Sequence, residues 1–296
     1  MKRLLILLLI IPFFISCVTT RSHDMKYKGA ITPGKWLKDI SVKVSDGKET
    51  SIAMIQIYFP KNYKRGENTR TIIALPSYNS NERDWERNTS IEYLADKYNM
   101  AIVCPNMKKS LYESKYYPDT TYRWNVIPGG KFIGEDLLNF VNKNFSLGYD
   151  SSKTAIMGVT VGAHGAILVA SKYKAFSAAA GISGYYDPTI MTNSRMVQSV
   201  YGKYNDNRTI WENDDNNLKL AEGLSGVKVY LFHGSKNDAF TPGQSRIMAI
   251  KLKHLQKKSS SYSITYKESK SGYYGWTYWK RQIPEVMEFF DRNLAK

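Results

Sequence analysis

The stretch Gly158-Val159-Thr160-Val161-Gly162-Ala163-His164-Gly165 limits what this chain can fold into more than any other. The apolar run Thr154-Ala155-Ile156-Met157 leads into it, and Ala166-Ile167-Leu168-Val169-Ala170 leads out. An apolar run, a glycine-framed turn and a second apolar run read as buried strand, sharp turn and buried helix. Gly158 and Gly162 stand two residues either side of Thr160. Glycine there lets the backbone reverse without side chains colliding. Thr160 is thereby expected at the apex of the turn.

The rest of the chain alternates in a matching way. Ile40–Val44 and Ile52–Phe59 alternate apolar and polar residues about an Asp46-Gly47 turn, the pattern of a β-hairpin. Runs at Thr71–Leu75, Met100–Cys104, Phe176–Ile182, Val227–Phe232 and Tyr262–Tyr266 read as further strands. Helical spacing occupies Trp85–Tyr98, Phe132–Phe145, Gln244–Leu255 and Ile283–Leu294. This order predicts an α/β fold: a mostly parallel central sheet, an antiparallel N-terminal hairpin and helices on both faces. Two insertions interrupt the alternation, one aromatic at about 106–130 and one polar at about 185–223. Both are expected above the C-terminal ends of the strands, where open α/β sheets place their sites.

The N-terminus has a character of its own. Lys2 and Arg3 precede an apolar run, Leu4 to Ile15, too short for a spanning helix of roughly 18–20 residues. It ends Phe14-Ile15-Ser16-Cys17. That ending resembles the lipobox of bacterial lipoproteins, with Phe14 where leucine is usual; an ordinary secretory signal is the alternative. The resemblance makes 1–16 a signal peptide, Cys17 the lipidated N-terminus, 17–37 a tether and 38–296 one domain. It implies an exported protein of the bacterial cell envelope, held to the membrane through lipid on Cys17. The other cysteine, Cys104, ends an apolar run and reads as a buried, inert thiol. No cysteine–histidine spacing suggests a metal, and no cofactor motif is present. The net charge of +16, densest from Lys251 to Lys270, favours anionic surfaces; a solvated lysine-rich face is the competing reading. No nucleic-acid motif accompanies it, so nucleic acid is not expected as a partner.

Three segments together resemble one family. They are the turn at Thr160 followed by His164-Gly165-Ala166, the segment Phe232-His233-Gly234-Ser235-Lys236-Asn237-Asp238, and Gly272-Tyr273-Tyr274-Gly275-Trp276. They resemble the esterase family of α/β-hydrolases that contains esterase D-like enzymes, feruloyl and acetyl-xylan esterases and the antigen 85 mycolyltransferases. The likeness covers roughly residues 40–294 and implies the α/β-hydrolase fold. It places Thr160 at the nucleophile, Asp238 at the acid and Tyr274 at the base, in the order that fold uses. The backbone N–H groups of Tyr78 and Val161 become the oxyanion donors.

Three of these parts depart from the family pattern. Threonine replaces serine, and its extra methyl restricts χ1. Tyr274 stands where histidine belongs, and a phenol near pKa 10 is a poor base at neutral pH. Pro76-Ser77-Tyr78 replaces the His-Gly turn of the oxyanion loop. His164 reads as structural, His233 as a support for the acid turn and His254 as exposed. The joint departures favour a catalytically impaired, ligand-binding envelope protein. The alternative is an active carboxylic-ester hydrolase or acyltransferase using Thr160. Aromatics in the first insertion (Tyr112, Tyr116, Tyr117, Tyr122, Trp124) and around Tyr273–Trp279 suit an ester, glycan or phenolic ligand; ordinary core packing is the competing reading.

Overall fold

The computed structural model of the chain describes residues 27, 29–236 and 240–296. The apolar runs become the strands β1 (Lys35–Ser45), β2 (Thr50–Phe59), β3 (Arg70–Leu75), β4 (Met100–Pro105), β5 (Thr154–Val159), β6 (Ala178–Ile182), β7 (Lys228–Gly234) and β8 (Ser263–Ser269). They form one sheet in the order β1-β2-β4-β3-β5-β6-β7-β8. β1 pairs antiparallel with β2, and β2 antiparallel with β4. Every pairing from β4 to β8 is parallel. At the hairpin turn Asp46 Oδ1 accepts from the backbone N–H groups of Lys48 and Glu49.

The helices are α1 (Asp84–Asn88), α2 (Ile91–Tyr98), α3 (Gly129–Lys131), α4 (Leu137–Phe145), α5 (Val161–Lys172), α6 (Arg195–Tyr201), α7 (Pro242–Lys258), α8 (Trp276–Trp279) and α9 (Ile283–Asn293). Residues from α4, α5, α6 and α7 join one apolar core. Residues from α1, α2, α8 and α9 join a second. Because strand side chains alternate, the two cores lie on opposite faces of the sheet, and central strands such as β3 and β5 are buried throughout. Cys104 is buried and unpaired, and burial raises its thiol pKa well above the usual value.

The Trp85–Tyr98 helix expected from spacing is two helices. Thr89 breaks it by turning its hydroxyl onto the Trp85 carbonyl, with its own backbone extended. The second insertion also departs from expectation. Its later part does not sit above the strands but runs beside α5. Asn217 donates to the His164 carbonyl, and a Cβ on Gly223 would lie 2.2 Å from the Ser171 carbonyl oxygen. Asp215, Asn216 and Asn217, polar in sequence, are almost wholly buried there.

Register carries the site. Leu75 pairs with Gly158, Val159 with Ile182, and Ile182 with Phe232. The C-terminal ends of β3, β5, β6 and β7 therefore line up. The residues that follow them (Ser77, Thr160, Ser183 and Ser235) emerge along one edge of the sheet.

Candidate active site

Thr160 sits between β5 and α5 with φ 54 and ψ −111, a region that non-glycine residues rarely occupy. Its N–H donates to the Ile182 carbonyl at 2.9 Å, and its own carbonyl accepts from Ala163 and His164. The flanking glycines are required by backbone. A Cβ on Gly158 would lie 2.1 Å from the Gly162 oxygen, and one on Gly162 would lie 2.4 Å from the Pro76 oxygen. The His-Gly-Ala glycine has a different reason: a Cβ on Gly165 would strike the Tyr112 ring at 2.3 Å. Tyr112 uses that space to donate its hydroxyl to the Pro76 carbonyl at 2.6 Å. Helix α5, the first insertion and the loop after β3 are thus locked together beneath the turn.

The hydroxyl at the apex is already engaged. Thr160 Oγ1 and Ser77 Oγ share a hydrogen bond, and Thr160 is fully buried. Ser77 is the residue that sequence reasoning passed over. Its one signal was its place immediately after Pro76, where the family turn has glycine. Tyr78 follows, half-buried, with burial raising its phenol pKa. Among the described residues neither the Tyr78 N–H nor the Val161 N–H is spent on a protein acceptor.

No histidine side chain hydrogen-bonds Thr160 among the described residues. His164 is fully buried, stacked on Tyr185 with ring centroids 4.3 Å apart. The Asn217 amide donates to both the His164 carbonyl and Nδ1, which fixes that nitrogen as an acceptor and the proton on Nε2. Burial pushes its pKa down to about 3, so the ring is neutral and inert. At the end of β7, His233 donates from Nε2 to the Phe240 carbonyl at 2.8 Å. Its Nδ1 bonds the Ser245 hydroxyl at 2.7 Å, and burial lowers its pKa. It ties the start of α7 to the end of β7. Asp238 itself lies outside the described residues, as does Cys17. His254 is on the exposed face of α7.

Tyr274 lies in the loop after β8. That loop meets the end of β7 at Gly234, where an added Cβ would lie 2.6 Å from the Gly272 backbone. Its ring packs edge-on against Trp279, centroids 4.9 Å apart, and half its surface is exposed. No hydrogen bond joins it to Thr160. Neighbouring Tyr273 is 56% exposed and receives a bond from the Lys236 ammonium. The aromatics of the first insertion divide. Tyr112, Tyr117 and Trp124 are core, whereas Tyr116 and Tyr122 are partly exposed. Among the described residues no group of three His, Cys, Asp or Glu side chains is placed to hold a metal.

A family model described as "Putative esterase" matches residues 51–290. The chain belongs to this esterase family. Its curated relatives include an acetyl esterase of Caldicellulosiruptor saccharolyticus, 24% identical over 240 residues, 76% of this chain and 85% of that protein. An S-formylglutathione hydrolase of Arabidopsis thaliana is 23% identical over 207 residues, 64% of this chain and 70% of that one. Among solved structures, a fluorophosphonate-binding serine hydrolase of Staphylococcus aureus superposes with a TM-score of 0.69 at 16% identity. That match covers 88% of this chain and 99% of the other. The esterase-family chain therefore has the α/β-hydrolase fold that its parallel strands and turn residues predicted.

Proposed function

We propose that this esterase-like protein has lost ester hydrolysis and serves as a ligand-binding protein of the bacterial envelope, anchored through lipid on Cys17. The observation carrying this reading is the Thr160–Ser77 hydrogen bond inside a buried site. An attacking hydroxyl must pass its proton to a base. Here its partner is a second hydroxyl, which is no base at neutral pH. The His164 ring is sealed in the core against Tyr185, and both ring nitrogens of His233 are hydrogen-bonded elsewhere. The exposed phenols of Tyr273, beside Lys236, and of Tyr274, against Trp279, supply a partly charged aromatic surface suited to a glycan or phenolic ester.

A second reading, an active hydrolase using Thr160, draws support from the turn itself. Its backbone keeps a conformation that costs about 1–3 kcal/mol, and the two oxyanion N–H groups remain unspent. Hydrolysis of p-nitrophenyl acetate by the chain from Val18 onward, beside Thr160→Ala, separates the two. No turnover above background in either protein is expected. Turnover that disappears in Thr160→Ala would overturn the binding reading. Incorporation of a labelled fatty acid, lost in Cys17→Ser, tests the anchor.

A further inference from the structure

The longest helix among the described residues, α7, faces solvent with a surface that the esterase-like site does not use. Within α7, Met248, Leu252 and Leu255 turn inward onto the sheet. The opposite face presents Ile247 at 49% exposure and Ile250 at 66%, one turn apart. Around them stand Lys253, His254, Lys257 and Lys258, all exposed. No carboxylate occurs from Phe240 to Lys267. The segments packed against the helix are β7, β8 and residues 220–224. They supply two carboxylates, Glu268 and Glu222. Arg246 holds Glu268 at 2.7 Å. No ion pair engages Lys251, Lys253, Lys257 or Lys258 among the described residues.

We infer that the outer face of α7 docks the protein flat against an anionic phospholipid surface. Exposed isoleucines are costly in water and are favourable in the interfacial layer of a bilayer. Lysines flanking them place their charges at headgroup level, with their alkyl stems along the apolar boundary. The 17-residue helix is about 25 Å long and held along its buried side, so these groups lie in one rigid strip. A soluble polyanion would use the lysines and leave the isoleucine pair unexplained. This inference is independent of whether Thr160 turns over esters.

The test is vesicle co-sedimentation of the chain from Val18 onward, which contains every strand, helix and core residue described. Phosphatidylcholine vesicles are compared with vesicles that also hold phosphatidylglycerol. Binding to the anionic vesicles alone is expected, with release near 1 M salt, where the screening length falls to about 3 Å. Lys253→Gln/Lys257→Gln/Lys258→Gln should weaken binding by about 100-fold, at roughly fivefold per lysine near a charged bilayer. Ile247→Asn/Ile250→Asn should leave weaker binding that is fully reversed by salt. Melting temperatures of both variants, unchanged from wild type, show that the fold is kept. Equal binding to neutral vesicles, or wild-type binding by the lysine variant, would overturn the inference. So would retention on heparin or DNA without vesicle binding.

Discussion

Glu113 offers a quantitative check on how the first insertion is held. Its carboxylate is 1% exposed and accepts from the Leu111 N–H and the Ser110 hydroxyl on one oxygen and the Gly129 N–H on the other. It thereby closes the loop whose Tyr112 braces the segment after β3 at Pro76. Burial nevertheless dominates those donors and pushes the carboxyl from 4.5 up to about 7. Between those two values the folded protein keeps a proton that the unfolded chain has released. Stability from this group is therefore full below pH 4.5, falls as pH rises, and levels off above pH 7. At about 1.4 kcal/mol per pH unit the fall amounts to about 3 kcal/mol. His164 works in the opposite direction. Its pKa is lowered by burial to about 3, so its contribution is lost as pH drops from 6.5 toward 3. The two nearly cancel between pH 4.5 and 6.5, so the wild-type curve alone is uninformative there. Glu113→Gln removes one group and leaves the other. The difference in urea unfolding free energy, wild type minus Glu113→Gln, should fall by about 3 kcal/mol from pH 4.5 to pH 8. Fluorescence of buried Trp85 and Trp211 reports the transition. A difference that stays constant with pH would refute the argument that Glu113 is desolvated.

Three other outcomes follow from the same geometry. Gly162→Ala places a Cβ against the Pro76 and Leu75 carbonyl oxygens, which are backbone and cannot yield, so a loss of about 3 kcal/mol is expected in denaturant unfolding. Gly243→Ala, in α7, meets only the Thr241 hydroxyl at 3.5 Å and should stabilise by about 0.5–1 kcal/mol in the same assay. Restoring Thr160→Ser/Tyr274→His should yield little p-nitrophenyl acetate turnover while Ser77 holds the nucleophile, and adding Ser77→Gly should raise it about tenfold or more, the worth of one hydrogen bond of roughly 1.4 kcal/mol. Equal rates with and without Ser77→Gly would show that Ser77 does not restrain the residue 160 hydroxyl.

What could be read from the sequence was whatever local physics fixes. Apolar runs of strand length, the Asp46-Gly47 hairpin turn and the glycines at 158, 162 and 165 gave the sheet, the antiparallel edge and the position of Thr160. Each rests on a few consecutive residues, so spacing alone reveals it. The break at Thr89 was local too, but it turned on a side chain choosing a backbone carbonyl, which the apolar spacing of Trp85–Tyr98 conceals. The burial of Asp215, Asn216 and Asn217 could not be read at all. Their composition belongs to a surface loop, and partners up to about a hundred residues away decide otherwise: Tyr117 and Ser114 for Asp215, and His164 for Asn217. The same holds at the site. Threonine in place of serine at 160 is written in the chain. That its hydroxyl is taken by Ser77 is not, because 83 residues separate the two, and only the β3–β5 register brings them within a hydrogen bond. The sequence by itself determined the fold and the threonine at the apex of the β5–α5 turn. Tertiary structure decided what that hydroxyl touches, because parallel strand pairing joins residues that share no neighbourhood along the chain.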